Sequence, residues 1–324
     1  MNHAYRTLGK EGPQLSPIGI GCWQFSRGAN AVGRYWDDVG EEDMQAIVRA
    51  SLAGGINWFD TAEVYGNGAS ERALADALDR EEASLETVYI ADKWWPAGRK
   101  ASSIEKTIGA RRDALNQRPI ALYQIHQPFS FSSAGKEMEA MLALKHRGEI
   151  GEIGVSNFNE KRMLEAYDTL HAEGVPLASN QIKYSLLDRR AEQNGLFDTC
   201  RELGISVIAY SPLEQGLLTG KYHQDPDAIK KKRGPRKWMG RFRSGYLEKT
   251  KPLMNLLEAT AEHHEATVSQ VVLSWMVHYH GDLVFAIPGA SSEKHAAEHA
   301  GALNVRLSDN EAEQISKASW DVQL

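Results

Sequence analysis

The feature that most constrains this chain is a rhythm, in which short runs that are apolar at consecutive positions alternate with longer segments of helical period. A strand that buries one face alternates apolar and polar residues. An uninterrupted apolar run instead predicts a strand covered on both faces, as in a parallel sheet wrapped by helices. The runs are 18–22 (IGIGC), 56–60 (INWFD), 87–93 (TVYIADK), 120–126 (IALYQIH), 152–157 (EIGVSN), 177–182 (LASNQI), 205–210 (ISVIAY) and 283–288 (LVFAIP). Strands alternating with helices read as βαβ units. Eight such units predict an α/β fold that closes as a (β/α)8 TIM barrel rather than an open doubly wound sheet.

The intervening segments supply the helices. Residues 41–53 carry Met44, Ile47, Val48, Ser51 and Leu52 on one stripe and stop at Gly54 and Gly55. Further helices are expected over 70–78, 102–115, 135–145, 160–171, 191–203, 252–264 and 268–280. Gly148, Gly174 and Gly204 stand where C-terminal caps belong. Two extra helices, near 292–302 and 309–319, follow the last strand. The leading segment, Tyr5–Leu8 and Gln14–Ser16 joined around Gly9–Pro13, reads as an N-terminal hairpin plugging the barrel bottom. With no linker, repeat or low-complexity tract, residues 1–324 are expected to form one barrel domain, a normal length for this architecture.

Composition removes several function classes. The N-terminus has no apolar core of a signal peptide, and no run approaches the length of a membrane span. Two cysteines, Cys22 and Cys200, form neither a disulfide framework nor a metal-type spacing. A reduced, cytoplasmic setting is expected, with no metal and no membrane partner. A net charge of −6 argues against general nucleic-acid affinity. The exception is the acid-free segment 230–243, which holds Lys230, Lys231, Lys232, Arg233, Arg236, Lys237, Arg241 and Arg243.

In a barrel of this kind the active site forms at the C-terminal ends of the strands. Taken in order, those ends offer Asp60, Lys93, His126, Ser156 with Asn157, Gln181 and Tyr210. Any one of them alone would suit a structural role; an Asp before Thr61 and Ala62 is an ordinary helix cap. Together on one rim they suit the reduction of a carbonyl, which needs a hydride donor, an acid for the alkoxide oxygen and polarisation of the C=O. Tyr65 lies five residues beyond Asp60, in the loop after the second strand. A free phenol titrates near pH 10, above the ideal for a neutral-pH acid. Lys93 is expected to lower that value, with Asp60 holding the lysine and His126 donating to the substrate oxygen.

At this point the sequence resembles the aldo-keto reductase family over essentially its whole length. NWFDTAEVYGNGASE (57–71) is similar to the family segment carrying Asp and Tyr, ADKW (91–94) to its Lys strand and YQIHQP (123–128) to its His strand. GVSNF (154–158), NQIKYS (180–185), IAYSPLEQGLLTGKY (208–222) and IPGASSEKH (287–295) are similar to its cofactor-binding segments, in the same order. The longer forms resemble the branch of bacterial and plant general reductases and potassium-channel β-subunits. A nicotinamide enzyme of this family carries no G-x-G-x-x-G dinucleotide motif, and none is present here.

The resemblance implies Tyr65 as general acid, Lys93 and Asp60 as its tuners, and His126 as the carbonyl-orienting donor. It implies that Ser156, Asn157 and Gln181 hydrogen-bond the nicotinamide carboxamide and that Tyr210 stacks on the ring. Ser211, Leu213, Gly216, Leu218 and Lys221 would follow the pyrophosphate. Trp23, Ile287, Gly289, Ser291, His295, Glu298 and His299 would complete the cofactor site. NADPH is the implied cofactor, with NADH possible. The expected basic clamp in GASSEKH is thin, because Lys294 is free to point along the exposed helix face. Arg233 or Arg236 of the basic segment would compensate by binding phosphate; the competing reading is a solvated charge run.

Aromatic residues are expected to shape the substrate pocket. Trp23, Trp94, Trp95 and Phe129 all follow barrel strands, which would suit apolar or aromatic carbonyls. Trp58 and Trp275 read as core, whereas the sequence around Trp36 and Trp320 points to neither core nor pocket. The expected partner is a small-molecule carbonyl substrate, and the assembly either a monomer or a homo-oligomer. The alternative function is a non-enzymatic or weakly active nicotinamide-cofactor sensor or scaffold subunit.

Overall fold

The computed structural model describes residues 5–26, 39–231 and 238–323. Strands β1 (Arg6–Thr7) and β2 (Gln14–Leu15) pair antiparallel as a hairpin. There follow β3 (Ile20–Gly21), α1 (Glu41–Ala53), β4 (Trp58–Asp60), α2 (Ala69–Arg80), β5 (Tyr89–Trp94), α3 (Ser102–Ala114), β6 (Ile120–Ile125) and α4 (Ala134–His146). The second half comprises β7 (Glu152–Ser156), α5 (Glu160–His171), β8 (Leu177–Lys183), α6 (Arg190–Gln193), α7 (Leu196–Leu203), β9 (Ser206–Tyr210) and α8 (Lys221–Gln224). The chain then runs through α9 (Ser244–His263), α10 (Val268–His278), β10 (Val284–Ile287), α11 (Glu293–Gly301) and α12 (Asp309–Gln323).

Strands β3 to β10 form a sheet of eight in sequence order, every neighbouring pair parallel. Parallel bridges from Ile18 to Ala286 and from Gly21 to Gly289 bring its two edges together. Closure satisfies backbone groups that an open edge would leave bare, as in Gly19 N–H to Ala286 O at 2.9 Å. The fold is therefore the (β/α)8 TIM barrel that the apolar runs predict.

Burial on both strand faces explains those runs. The inner layer packs Trp58, Ala91, Leu122, Ala178, Ile208 and Phe285, and Leu8 and Leu15 of the hairpin join it from below. The Trp58 indole N–H is held by Ser16 O at 2.9 Å, tying plug to barrel. Gly19 is needed beside that ring, because a Cβ there would stand 2.3 Å from the indole. The outer layer buries the opposite strand faces under α1 to α5, α7, α10 and α11.

Two helices depart from expectation. The segment 191–203 breaks into α6 and α7 at Gly195, which takes φ 82°. Helix α9 starts at Ser244 and continues through Pro252, which the sequence places at its start. Proline forfeits one helix hydrogen bond and crowds the preceding turn. Burial of Leu247, Leu253, Met254 and Leu257 along one side sustains the helix across it. Arg233, Arg236 and Trp36 lie outside the described residues. Among the described residues, no helix is long and apolar enough to cross a membrane.

Candidate active site

Parallel register sets the strand ends at one level. Asp60 pairs with Gly21 and Ala91, Lys93 with Gln124, Ser156 with Gln181, and Tyr210 with Ile287. These ends open onto a cleft of about 710 Å³, within the usual range for small-molecule sites. Asp60, Tyr65, His126, Ser156, Asn157, Gln181 and Tyr210 line it, and Lys93 is fully buried just beneath.

The loop that carries Tyr65 is held by its own backbone. Tyr65 N–H donates to Ala62 O at 3.0 Å, Gly68 N–H to Glu63 O at 3.0 Å and Ser70 N–H to Tyr65 O at 3.1 Å. The half-buried Tyr65 ring stacks on Trp23, with centroids 5.9 Å apart and planes 16° apart. It meets the His126 ring edge-on at 5.7 Å, and the Lys93 ammonium lies 5.2 Å from its centroid. Asp60 accepts from Lys93 Nζ, which also donates to Thr61 O at 2.8 Å. The second Asp60 oxygen takes Gln181 Nε2 at 2.8 Å and Gln124 Nε2 at 3.3 Å.

Electrostatics follow from burial and from this one ion pair. Burial pulls the Lys93 ammonium down, but Asp60, assisted by Tyr65, more than offsets it and leaves the lysine above its ordinary value. Burial pushes the Tyr65 hydroxyl up, and Lys93 pulls it down by charge and by a hydrogen bond. The net result lies above the ordinary phenol value. The sequence leads one to expect the reverse; Lys93 does act in the expected direction, but desolvation of the phenolate outweighs it. His126 is driven well below its ordinary value, first by burial and then by Lys93, so its ring is neutral near pH 7. Its buried Nδ1 has no hydrogen-bond partner.

The residues expected around the nicotinamide link into a chain. Tyr210 OH donates to Asn157 Oδ1 at 2.9 Å, Asn157 Nδ2 to Ser156 Oγ at 3.0 Å and Ser156 Oγ to Gln181 O at 2.9 Å. Asn157 holds φ 60°, a left-handed conformation uncommon outside glycine. Farther along, Ser211, Glu214, Gln215 and Gly216 all have positive φ. Such turns direct successive backbone N–H groups into anion-binding concavities.

Trp23, Ser211, Leu213, Gly216, Lys221, Ile287, Gly289, Ser291, His295, Glu298 and His299 all line the cleft. Leu218 does not; it is fully buried in the core, on the side of its turn that faces the barrel helices. Lys294 is exposed yet stands on the cleft wall at the first turn of α11. Trp94 also departs from expectation, because consecutive side chains at a strand end face opposite ways. Its indole is buried against α3, donating to Ser103 Oγ at 3.1 Å, and Trp95 alone of the pair reaches the cleft. Phe129 is half exposed and packs edge-on against Trp95 at 5.5 Å. Trp58 and Trp275 are core, as expected.

Sequence reasoning missed Gln24, Val64, Gln127, Gln215, Tyr222 and Ser269 as cleft residues. Val64 and Gln127 adjoin Tyr65 and His126 and were within reach of the motif; Ser269, on a distant helix, carries no local signal. Among the described residues, one group brings metal-type ligand atoms together, His263, His264 and Glu311. None of the three lines the cleft, and Glu311 also caps α12 through Ser308.

A nicotinamide dinucleotide fits what is present. Buried polar atoms on cleft residues stand without partners at Gln24 Oε1, Gln215 Oε1 and His299 Nδ1. The Gly289 backbone approaches so closely that a Cβ would meet Gln24 Nε2 at 2.1 Å. At the far end Ser291, Lys294 and His295 surround the N-terminus of α11, where backbone amides and the helix dipole favour an anion.

The fold is a TIM barrel with a polar cluster at its C-terminal rim. The chain belongs to the aldo/keto reductase family, whose profile matches residues 17–319. It is 37% identical over 310 residues to an uncharacterised oxidoreductase of Mycobacterium tuberculosis, covering 94% of this chain and 90% of that one. It is 31% identical over 323 residues to the chloroplastic pyridoxal reductase of Arabidopsis thaliana, covering 96% and 85% respectively. The structure of a glycerol dehydrogenase from Gluconobacter oxydans superposes with a TM-score of 0.81 at 25% identity, over 98% of this chain and 95% of that one.

Proposed function

We propose that this protein, acting as one barrel domain, reduces aldehydes or ketones to alcohols with NAD(P)H, with Tyr65 as proton donor. The observation that carries the reading is the meeting of Tyr65, Lys93, Asp60 and His126 at one end of the cleft. A reduced nicotinamide bound there supplies the hydride. Tyr65 is protonated at neutral pH, as a phenol raised by burial must be, and it delivers that proton to the oxygen that becomes the alcohol. The Lys93 ammonium stabilises the phenolate left behind, and Asp60 keeps that ammonium charged and in place. Neutral His126 offers a ring N–H to the same substrate oxygen and orients the carbonyl.

Ser156, Asn157, Gln181 and Tyr210 would hold the nicotinamide; Ser211, Leu213, Gly216 and Lys221 would follow the pyrophosphate. Ile287, Gly289, Ser291, Lys294, His295, Glu298 and His299 would hold the adenosine end, where the Lys294 charge favours NADPH over NADH. Trp23 and Trp95 wall the reacting end and favour planar, apolar carbonyl compounds. The names pyridoxal reductase and glycerol dehydrogenase, borne by two similar proteins, support interconversion of carbonyl and alcohol.

The test is Tyr65→Phe. Loss of a positioned general acid lowers kcat by about 10²–10⁴-fold, while NADPH affinity, read by fluorescence titration, stays near wild type. A protein that binds NADPH, reduces no carbonyl in a broad panel and is unchanged by Tyr65→Phe would be a cofactor sensor instead.

A further inference from the structure

We propose that Glu63 is a positioning residue that locks the Tyr65 loop onto the strand exit carrying Lys93 and Trp95, which fixes the proton donor, its ammonium partner and the cleft wall at set separations. This inference rests on the carbonyl-reduction reading given above. Glu63 stands two residues before Tyr65, and its side chain is 9% exposed. It lies just beyond the end of β4, where the strand ladder to β5 has run out.

Glu63 continues the stitching that the ladder no longer provides. Its backbone N–H donates to Lys93 O at 3.3 Å, and its carbonyl receives Gly68 N–H at 3.0 Å, which closes the Tyr65 loop. Its carboxylate Oε1 accepts the Trp95 backbone N–H at 2.5 Å and also Arg99 Nη1. Its Oε2 accepts Arg111 Nη1 of α3 at 3.2 Å. Arg99 returns to Trp95 O at 2.9 Å and is itself held by Ser103 Oγ at 3.1 Å and Thr107 Oγ1 at 3.0 Å. One carboxylate thus grips both backbone polar groups of Trp95, directly at the N–H and through Arg99 at the C=O.

The bonds lead to the reacting groups from two sides. Along the loop, Glu63 sets Tyr65, whose ring lies 5.2 Å from Lys93 Nζ. Across the strand exit it sets Trp95, whose ring meets the His126 ring edge-on at 5.1 Å. Charge-assisted hydrogen bonds shielded from water are stronger than exposed ion pairs and hold tighter geometry. A displacement of about 1 Å at reacting groups costs about 100-fold in rate, so a loosened Glu63 acts on chemistry without touching substrate.

The experiment compares Glu63→Ala, Glu63→Gln and Arg99→Ala in the full chain, using NADPH and benzaldehyde. Glu63→Ala is expected to lower kcat about 10- to 100-fold and to raise the benzaldehyde KM, because Trp95 loses its anchor, while NADPH affinity holds. Glu63→Gln keeps an acceptor for the Trp95 N–H and should restore most of the KM. Arg99→Ala, which breaks the tether from its other end, should lower kcat in the same direction. Hydrogen–deuterium exchange on the ligand-free protein should rise in 61–68 and 94–99 of the alanine variant and stay unchanged in β7 to β9. Folded Glu63→Ala with wild-type kcat, KM and exchange would overturn the proposal. So would equal losses in the alanine and glutamine variants together with lost NADPH affinity. If Glu63→Ala does not fold, unchanged kinetics in both other variants would do the same. A wild-type protein that reduces no carbonyl would sink the reduction reading instead, and the exchange pattern would then decide the locking on its own.

Discussion

Asp60→Asn isolates the charge that organises the site. The side chain keeps its shape and one acceptor for the Gln181 and Gln124 amides, but Lys93 loses its counter-ion at a position with no solvent exposure. Removing one partner of a buried pair leaves an uncompensated charge and costs about 3–5 kcal/mol. The pH dependence tests the cause. In the wild type, Lys93 titrates above its ordinary value. The stability it contributes is therefore complete below about pH 10.4 and is lost only as pH rises through the folded-state value. In Asp60→Asn, burial is opposed only by Tyr65 and Asp92, and the folded-state value is expected to drop below the unfolded one. The unfolded chain then binds more protons, and stability climbs with pH across the window between the two values. Urea unfolding followed by circular dichroism should show a large midpoint deficit near neutral pH that shrinks toward about pH 10. Adding Lys93→Met to Asp60→Asn should recover part of the loss, because it removes the uncompensated buried charge. Equal midpoints at neutral pH, or a deficit that ignores pH, would refute the argument.

Two further outcomes are expected. Lys294→Ala should weaken NADPH more than NADH, by about tenfold or more if one charge-assisted bond is lost; side-by-side fluorescence titrations read this directly. Glu71 is fully buried, and burial together with Asp92 holds its carboxyl well above the usual carboxylate range, so it stays protonated at neutral pH. An acid raised in this way loses stability as pH climbs above its unfolded value. Glu71→Gln should therefore match wild type near pH 5 and become the more stable of the two as pH rises, as urea midpoints across that range will show.

Much of the fold is legible because it follows from periodicity. Strands buried on both faces read as near-continuous apolar runs, and the runs ending at Asp60, Lys93 and Tyr210 predict β4, β5 and β9 closely. Where local signals compete, the sequence misleads. Pro252 reads as a helix start, yet α9 passes through it, because the buried stripe from Leu247 to Leu257 outweighs one lost hydrogen bond. Trp94 and Trp95 look equivalent as neighbours at a strand exit, and only the pleat decides which faces the cleft.

What the sequence determined by itself is the barrel and the rim, with a polar residue closing each of several apolar runs on one level. What tertiary structure alone decided is the state of those residues. The direction of the Tyr65 shift depends on desolvation by burial, and the rings that stack on or meet Tyr65, Trp23 and His126, come from the exits of different strands, so that sum cannot be read along the chain. The grip of Glu63 on Trp95, Arg99 and Arg111 spans the same gap. Periodicity is local and survives in one dimension, whereas burial, charge coupling and side-chain direction at strand ends arise only when distant segments share a surface.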